Sequence, residues 1–141
     1  MKGRLSPRWR IRATGAALVF PPLVHLVSLE RLTAWIERRR PAADPEVWDI
    51  ALAEWVERVL AVLPPPWRRT CLKRALVLQY LIRRAGGSAA LQVGVRRDGA
   101  GALVAHAWLT RNGTAYLEPA TERLDTFQVL ATFPGTTAEP H

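Results

Sequence analysis

Cysteine and histidine are scarce in this chain: Cys71 alone, and three histidines, His25, His106 and His141, in 141 residues. A single thiol excludes an intramolecular disulfide framework and any multi-cysteine zinc or iron–sulfur cage. So few histidines leave a metal site little to build from, and neither metal nor cofactor is expected. Acids are the minority charge, 12 Asp+Glu against 20 Lys+Arg, for a net charge of +8. Such a surface associates with something acidic, whether peptide, nucleic acid or anionic membrane face. Aromatics are few (8%) and no helix-turn-helix, RNA-recognition or zinc-finger pattern occurs, so nucleic acid is not the expected partner. The length suits about one domain and excludes a full barrel or a two-domain dinucleotide-binding enzyme.

A long uninterrupted apolar run is also missing. The longest candidate, Gly15 to Leu29, contains Pro21-Pro22 and His25 and falls short of the roughly 20 residues that a span requires. A basic arm (Lys2, Arg4, Arg8, Arg10, Arg12) precedes it, as in a signal peptide, yet Glu30-Arg31-Leu32 follows where a small-residue cleavage site would stand. A cytoplasmic protein is therefore expected. The run reads as a helical hairpin or as an interfacial amphipathic piece at a membrane surface.

What is present is organised as helices first and strands afterwards. Asp44-Pro45-Glu46 has the form of a helix start. Val47, Ile50, Ala51, Trp55, Val59 and Val62 then recur at three-and-four spacing until Pro64-Pro65-Pro66 stops the helix. A second helix begins near Thr70 or Cys71, is apolar over most of its surface, and closes at Gly86-Gly87; such a helix is central and buried. The period then changes. Ala89 to Arg96, Leu103 to Thr110 and Thr114 to Glu118 read as strands joined by turns at Arg97–Gly101 and Arg111-Asn112-Gly113. Beyond Pro119 the elements are short and weak, and the chain is frayed from Pro134. The expectation is an α+β fold: N-terminal helices and a central cysteine-bearing helix packed on a small antiparallel sheet. It divides into an arm and helical segment (1–43), a core (44–133) and a flexible tail (134–141).

Three residues could carry chemistry. Cys71 stands at a predicted helix start among Arg68, Arg69, Lys73 and Arg74, where the helix field and nearby cations favour a nucleophilic thiolate. A lone cysteine serves as readily as a small buried hydrophobe. His106 lies mid-strand between two alanines; it is either a hydrogen-bonded core histidine or a base for Cys71. Glu118 falls about opposite His106 across the Asn-Gly turn, where a carboxylate could hold the imidazole's other N–H. The alternative for Glu118 is a solvent-facing strand end, and Asp125 is the rival acid.

Taken together, Cys71-Leu72-Lys73-Arg74-Ala75-Leu76-Val77-Leu78, Leu81-Ile82-Arg83-Arg84-Ala85-Gly86, Gly94-Val95, Ala105-His106-Ala107-Trp108-Leu109 and Leu117-Glu118-Pro119 resemble the transglutaminase-like cysteine peptidase fold. More narrowly they resemble the lasso-peptide biosynthesis B2 family, the leader peptidases of lasso-peptide gene clusters. The resemblance covers about residues 64–119. It implies a papain-like core with Cys71 as nucleophile, His106 as base and Glu118 where the family typically carries Asp. Trp108 would orient His106, and the backbone N–H groups of Cys71 and Leu72 would serve as oxyanion donors. It further implies a precursor-peptide substrate, a separate leader-binding B1 protein and an ATP-dependent lasso cyclase acting afterwards. The same constellation with an amine acceptor would make an acyltransferase. A non-catalytic basic binding module is the reading in which Cys71 and His106 are core residues.

Overall fold

Ser6 and Ser28 set the two N-terminal helices, because a serine hydroxyl at this position satisfies an amide that the first turn leaves unpaired. The computed structural model describes residues 6–40, 49–63, 71–87, 89–111, 114–117 and 126–133. Ser6 Oγ accepts from Trp9 N–H ahead of α1 (Pro7–Leu23), and Ser28 Oγ accepts from Arg31 N–H ahead of α2 (Leu29–Glu37). The apolar segment runs through the end of α1 and the turn into α2, with one correction to the expected break. Pro21 and Pro22 do not interrupt the helix but form part of its last turn. Two missing donors there cost little, since Val24 and Val27 N–H still reach the carbonyls of Phe20 and Leu23.

α3 (Asp49–Val62) is followed by α4 (Cys71–Arg84), and the intervening triple proline and the Asp44-Pro45 start lie outside the described residues. α3 buries Leu52, Ala53, Val56 and Leu60, whereas Ile50 is 62% and Val62 80% exposed. The stripe expected from Ile50, Ala51, Trp55, Val59 and Val62 is thus rotated from the one that packs. Apolar residues extend to both sides of the packed face, so spacing alone permits both stripes, and contact with α1 and α4 selects one. Trp55 stays at the boundary, its Nε1–H donating to Thr14 Oγ1 at 3.1 Å.

α4 is the centre of the molecule. Arg74 to Gln79, Leu81 and Ile82 are all buried, and the helix touches α1, α2, α3 and the sheet. It ends as the glycines require. Gly86 takes φ 93°, Gly86 N–H donates to Arg83 O and Gly87 N–H to Ile82 O, satisfying the last carbonyls.

Four antiparallel strands follow: β1 (Ala90–Arg97), β2 (Leu103–Arg111), β3 (Thr114–Tyr116) and β4 (Gln128–Phe133), in the order β3-β2-β1-β4. The described residues thus form an α+β fold. The β1–β2 turn is fastened by Asp98, whose carboxylate accepts from Ala100 and Ala102 N–H, with Gly101 at φ 87°. β4 was not expected. It pairs along β1 with a bulge opposite Val93/Gly94, and Gln79 on α4 ties its end down by donating to Phe133 O and Ala89 O. β3 is shorter than expected, stopping at Tyr116, and Leu117 turns away at φ 58°.

Alternation gives the sheet two distinct faces. Leu91, Val93, Ala107 and Leu109 pack with the helices. Gly94, His106 and Trp108 lie on the other. A Cβ on Gly94 would come within 2.9 Å of both the Trp108 ring and Gln128 O. Only hydrogen fits there. Gly94→Ala is expected to destabilise the protein by about 1–3 kcal/mol through overpacking. That outweighs the roughly 0.5–1 kcal/mol usually returned by removing a glycine from a regular element. Urea unfolding measures the balance, and an unchanged midpoint would mean that the Trp108 ring yields freely.

Candidate active site

Cys71 is the first residue of α4, so its sulfur sits beside the amides of a helix start, which have no acceptor within the helix. It is half-buried and reduced. β3 pairs only with Leu109 to Arg111, leaving the lower part of β2 as an edge among the described residues. The sulfur occupies that edge: Ala107 N–H donates to Cys71 Sγ at 3.4 Å. A cysteine side chain thus takes the bond that a longer β3 would have supplied.

Ala107 follows His106 directly, so this contact brings the sulfur within about 6 Å of the His106 Cα, given standard peptide dimensions. That is within the reach of an imidazole. His106 is half-buried and its ring forms a three-ring cluster with Trp108 (5.7 Å between centroids, planes 19° apart) and Phe127 (5.5 Å), which also touch each other (5.9 Å). Trp108 in turn lies over Gly94, so the space left by a missing Cβ supports the indole that backs the imidazole. His106 points to the opposite face of the strand from Ala107, and its ring packs there with Trp108 and Phe127. Glu118 and Asp125 lie outside the described residues.

One contributor is not apparent from periodicity. Arg74, three residues after Cys71, is buried; its Nε forms an ion pair with Glu57 on α3 while its Nη2 donates to Leu117 O. The guanidinium thus fixes α3, α4 and the residue preceding Glu118 in one place. A lone arginine on an otherwise apolar helix face was the available signal: a charge is buried only when it is paired.

A family model described as the transglutaminase-like superfamily matches residues 11–132. The chain belongs to the transglutaminase-like superfamily. The matched span takes in α1, α2 and β4, well beyond the residues whose motifs suggested it. The chain matches no curated protein and no solved structure. Transglutaminase-like domains carry cysteine-peptidase or acyl-transfer chemistry in general, and both begin with a thiol attacking an acyl carbon. Among the described residues no group of three or more His, Cys, Asp or Glu could hold a metal. No described helix is long and apolar enough to cross a membrane.

Arg74→Ala would strand the Glu57 carboxylate and the Leu117 carbonyl together. A loss of about 3–5 kcal/mol is expected, as when one partner of a buried pair is removed. Glu57→Gln keeps an acceptor for the guanidinium, and its loss should be clearly smaller. Denaturant unfolding of the two variants measures this ordering, and equal losses would contradict it.

Proposed function

We propose that this transglutaminase-like protein is a cysteine peptidase that removes the leader from a ribosomally made lasso-peptide precursor. The observation that supports it most is the sulfur of Cys71, at a helix start, against the peptide group joining His106 to Ala107.

In this reading His106 accepts the Cys71 proton as the sulfur attacks the scissile carbonyl carbon. The oxyanion forms beside the amides of Cys71 and Leu72, where donors without helical acceptors are already oriented. The C–N bond breaks, the imidazolium returns its proton to the leaving amine, and a thioester remains. Water then adds to the thioester, His106 takes its proton, and the C–S bond breaks to give the leader's carboxylate and free thiol. Trp108 and Phe127 limit the imidazole's motion. Glu118, with Asp125 as rival, would hold its second nitrogen. Arg74, through Leu117 O, anchors the chain next to Glu118.

The partners belonging to this reading are the precursor peptide, a separate leader-binding B1 protein and the ATP-dependent lasso cyclase that takes up the freed core peptide. The setting would be cytoplasmic, with the apolar helical hairpin available for peripheral membrane contact.

Mass spectrometry of a lasso precursor incubated with the protein and a leader-binding partner tests the proposal. Wild type should release the leader, Cys71→Ala should release none, and His106→Ala should slow release by about 10²–10⁴-fold. Full cleavage by Cys71→Ala would refute the mechanism. An adduct formed in the presence of an added amine, in place of the free carboxylate, would identify an acyltransferase instead.

A further inference from the structure

We infer that the groove between α1 and α2 docks an acidic amphipathic peptide segment of a partner. The groove has a volume of about 720 Å³, within the range of about 300–1,000 Å³ typical of ligand sites. Its floor is the aromatic cluster of Phe20, Trp35 and Tyr80, with ring centroids 5.0–6.2 Å apart, and Gly15 opens its α1 wall. Arg12, Arg31 and Arg38 are the charged lining residues, and no carboxylate lines it. Apolar walls with cations as the only charges complement a segment that offers aliphatic or aromatic anchors flanked by Asp or Glu. Two helices forming a trough is the geometry that receives one face of a further helix, with anchors at i, i+3, i+4 and i+7. A peptide segment suits the groove better than a bilayer, because the space between the helices is that of a few side chains and Phe20 at its base is buried.

The site is separate from the thiol. Tyr80 follows Cys71 by nine residues on α4, about 14 Å along the helix and about half a turn around it. The inference therefore stands independently of the peptidase reading.

Gly15 supplies a clean obstruction. A Cβ there meets nothing within 4 Å, so Gly15→Leu directs a side chain from open space into the groove and replaces a poor helix former by a good one. The probe is a random 16-residue peptide display library selected on the full chain, followed by fluorescence anisotropy of the recovered peptides. Recovered sequences should pair Leu, Phe or Trp at helical spacing with an excess of Asp and Glu. Their affinity should fall severalfold between 50 and 500 mM NaCl, as exposed charges are screened. Gly15→Leu should weaken them at least tenfold with an undiminished melting temperature and unchanged alkylation of Cys71. The double variant Arg31→Glu, Arg38→Glu should abolish the acidic preference while leaving the fold intact. Peptides without acidic enrichment, or equal binding to Gly15→Leu, would overturn the inference. So would recovery of no groove-dependent peptide while phosphatidylglycerol vesicles bind wild type and not Gly15→Leu, since the groove would then belong to a lipid surface.

Discussion

The burial of α4 is the constraint on which the rest of the structure depends. A helix apolar on nearly every side must be covered on every side, and this chain covers it with α1, α2 and α3 and with one face of the sheet. A helix so enclosed exposes reactive groups most readily at its ends. Cys71 stands at the start, where the amides of the first turn have no acceptor within the helix, and the Gly86-Gly87 cap closes the other end. The location of the thiol is therefore a consequence of packing as much as of chemistry. The sulfur takes the Ala107 amide because β3 stops too soon to use it.

Around that end the molecule spends polar groups sparingly. Arg74 is the charged residue that α4 buries, and it is matched by a carboxylate on α3 and a carbonyl just after β3. Gln79 does similar work toward the sheet, holding the start of β1 and the end of β4. On the opposite face of the sheet, Gly94 admits the Trp108 ring against the backbone, and Trp108 in turn backs His106. A missing methyl group on β1 thus governs the surroundings of an imidazole on β2.

Much of this was legible in residue order. The apolar run after Cys71, the Gly86-Gly87 stop and the Asp98 turn each act through local physics, and local physics is readable along a chain. The face of α3 was not, because Ile50 and Val62 are as apolar as Leu52 and Val56, and only contact distinguishes them. β4 escaped notice because Gln128 to Phe133 forms a strand only when β1 offers an edge. The ending of β3 at Tyr116 was likewise invisible: Leu117 adopts a left-handed φ that non-glycine residues rarely take. The carboxylates Glu118 and Asp125 lie outside the described residues, so the third position of the candidate site rests on sequence alone.

By itself, the sequence determined the order of helices before strands, the burial of the helix after Cys71, and the two residue types able to move an acyl group and a proton. Those follow from periodicity, caps and side-chain chemistry, all of which act within a few residues. Tertiary structure alone decided that the sulfur meets the strand of His106, that Arg74 binds Glu57 and Leu117, and that an arginine-rimmed apolar groove lies open between α1 and α2. Each of these joins residues distant along the chain, and such pairings are selected by the shape and polarity of the assembled core, which no local window contains.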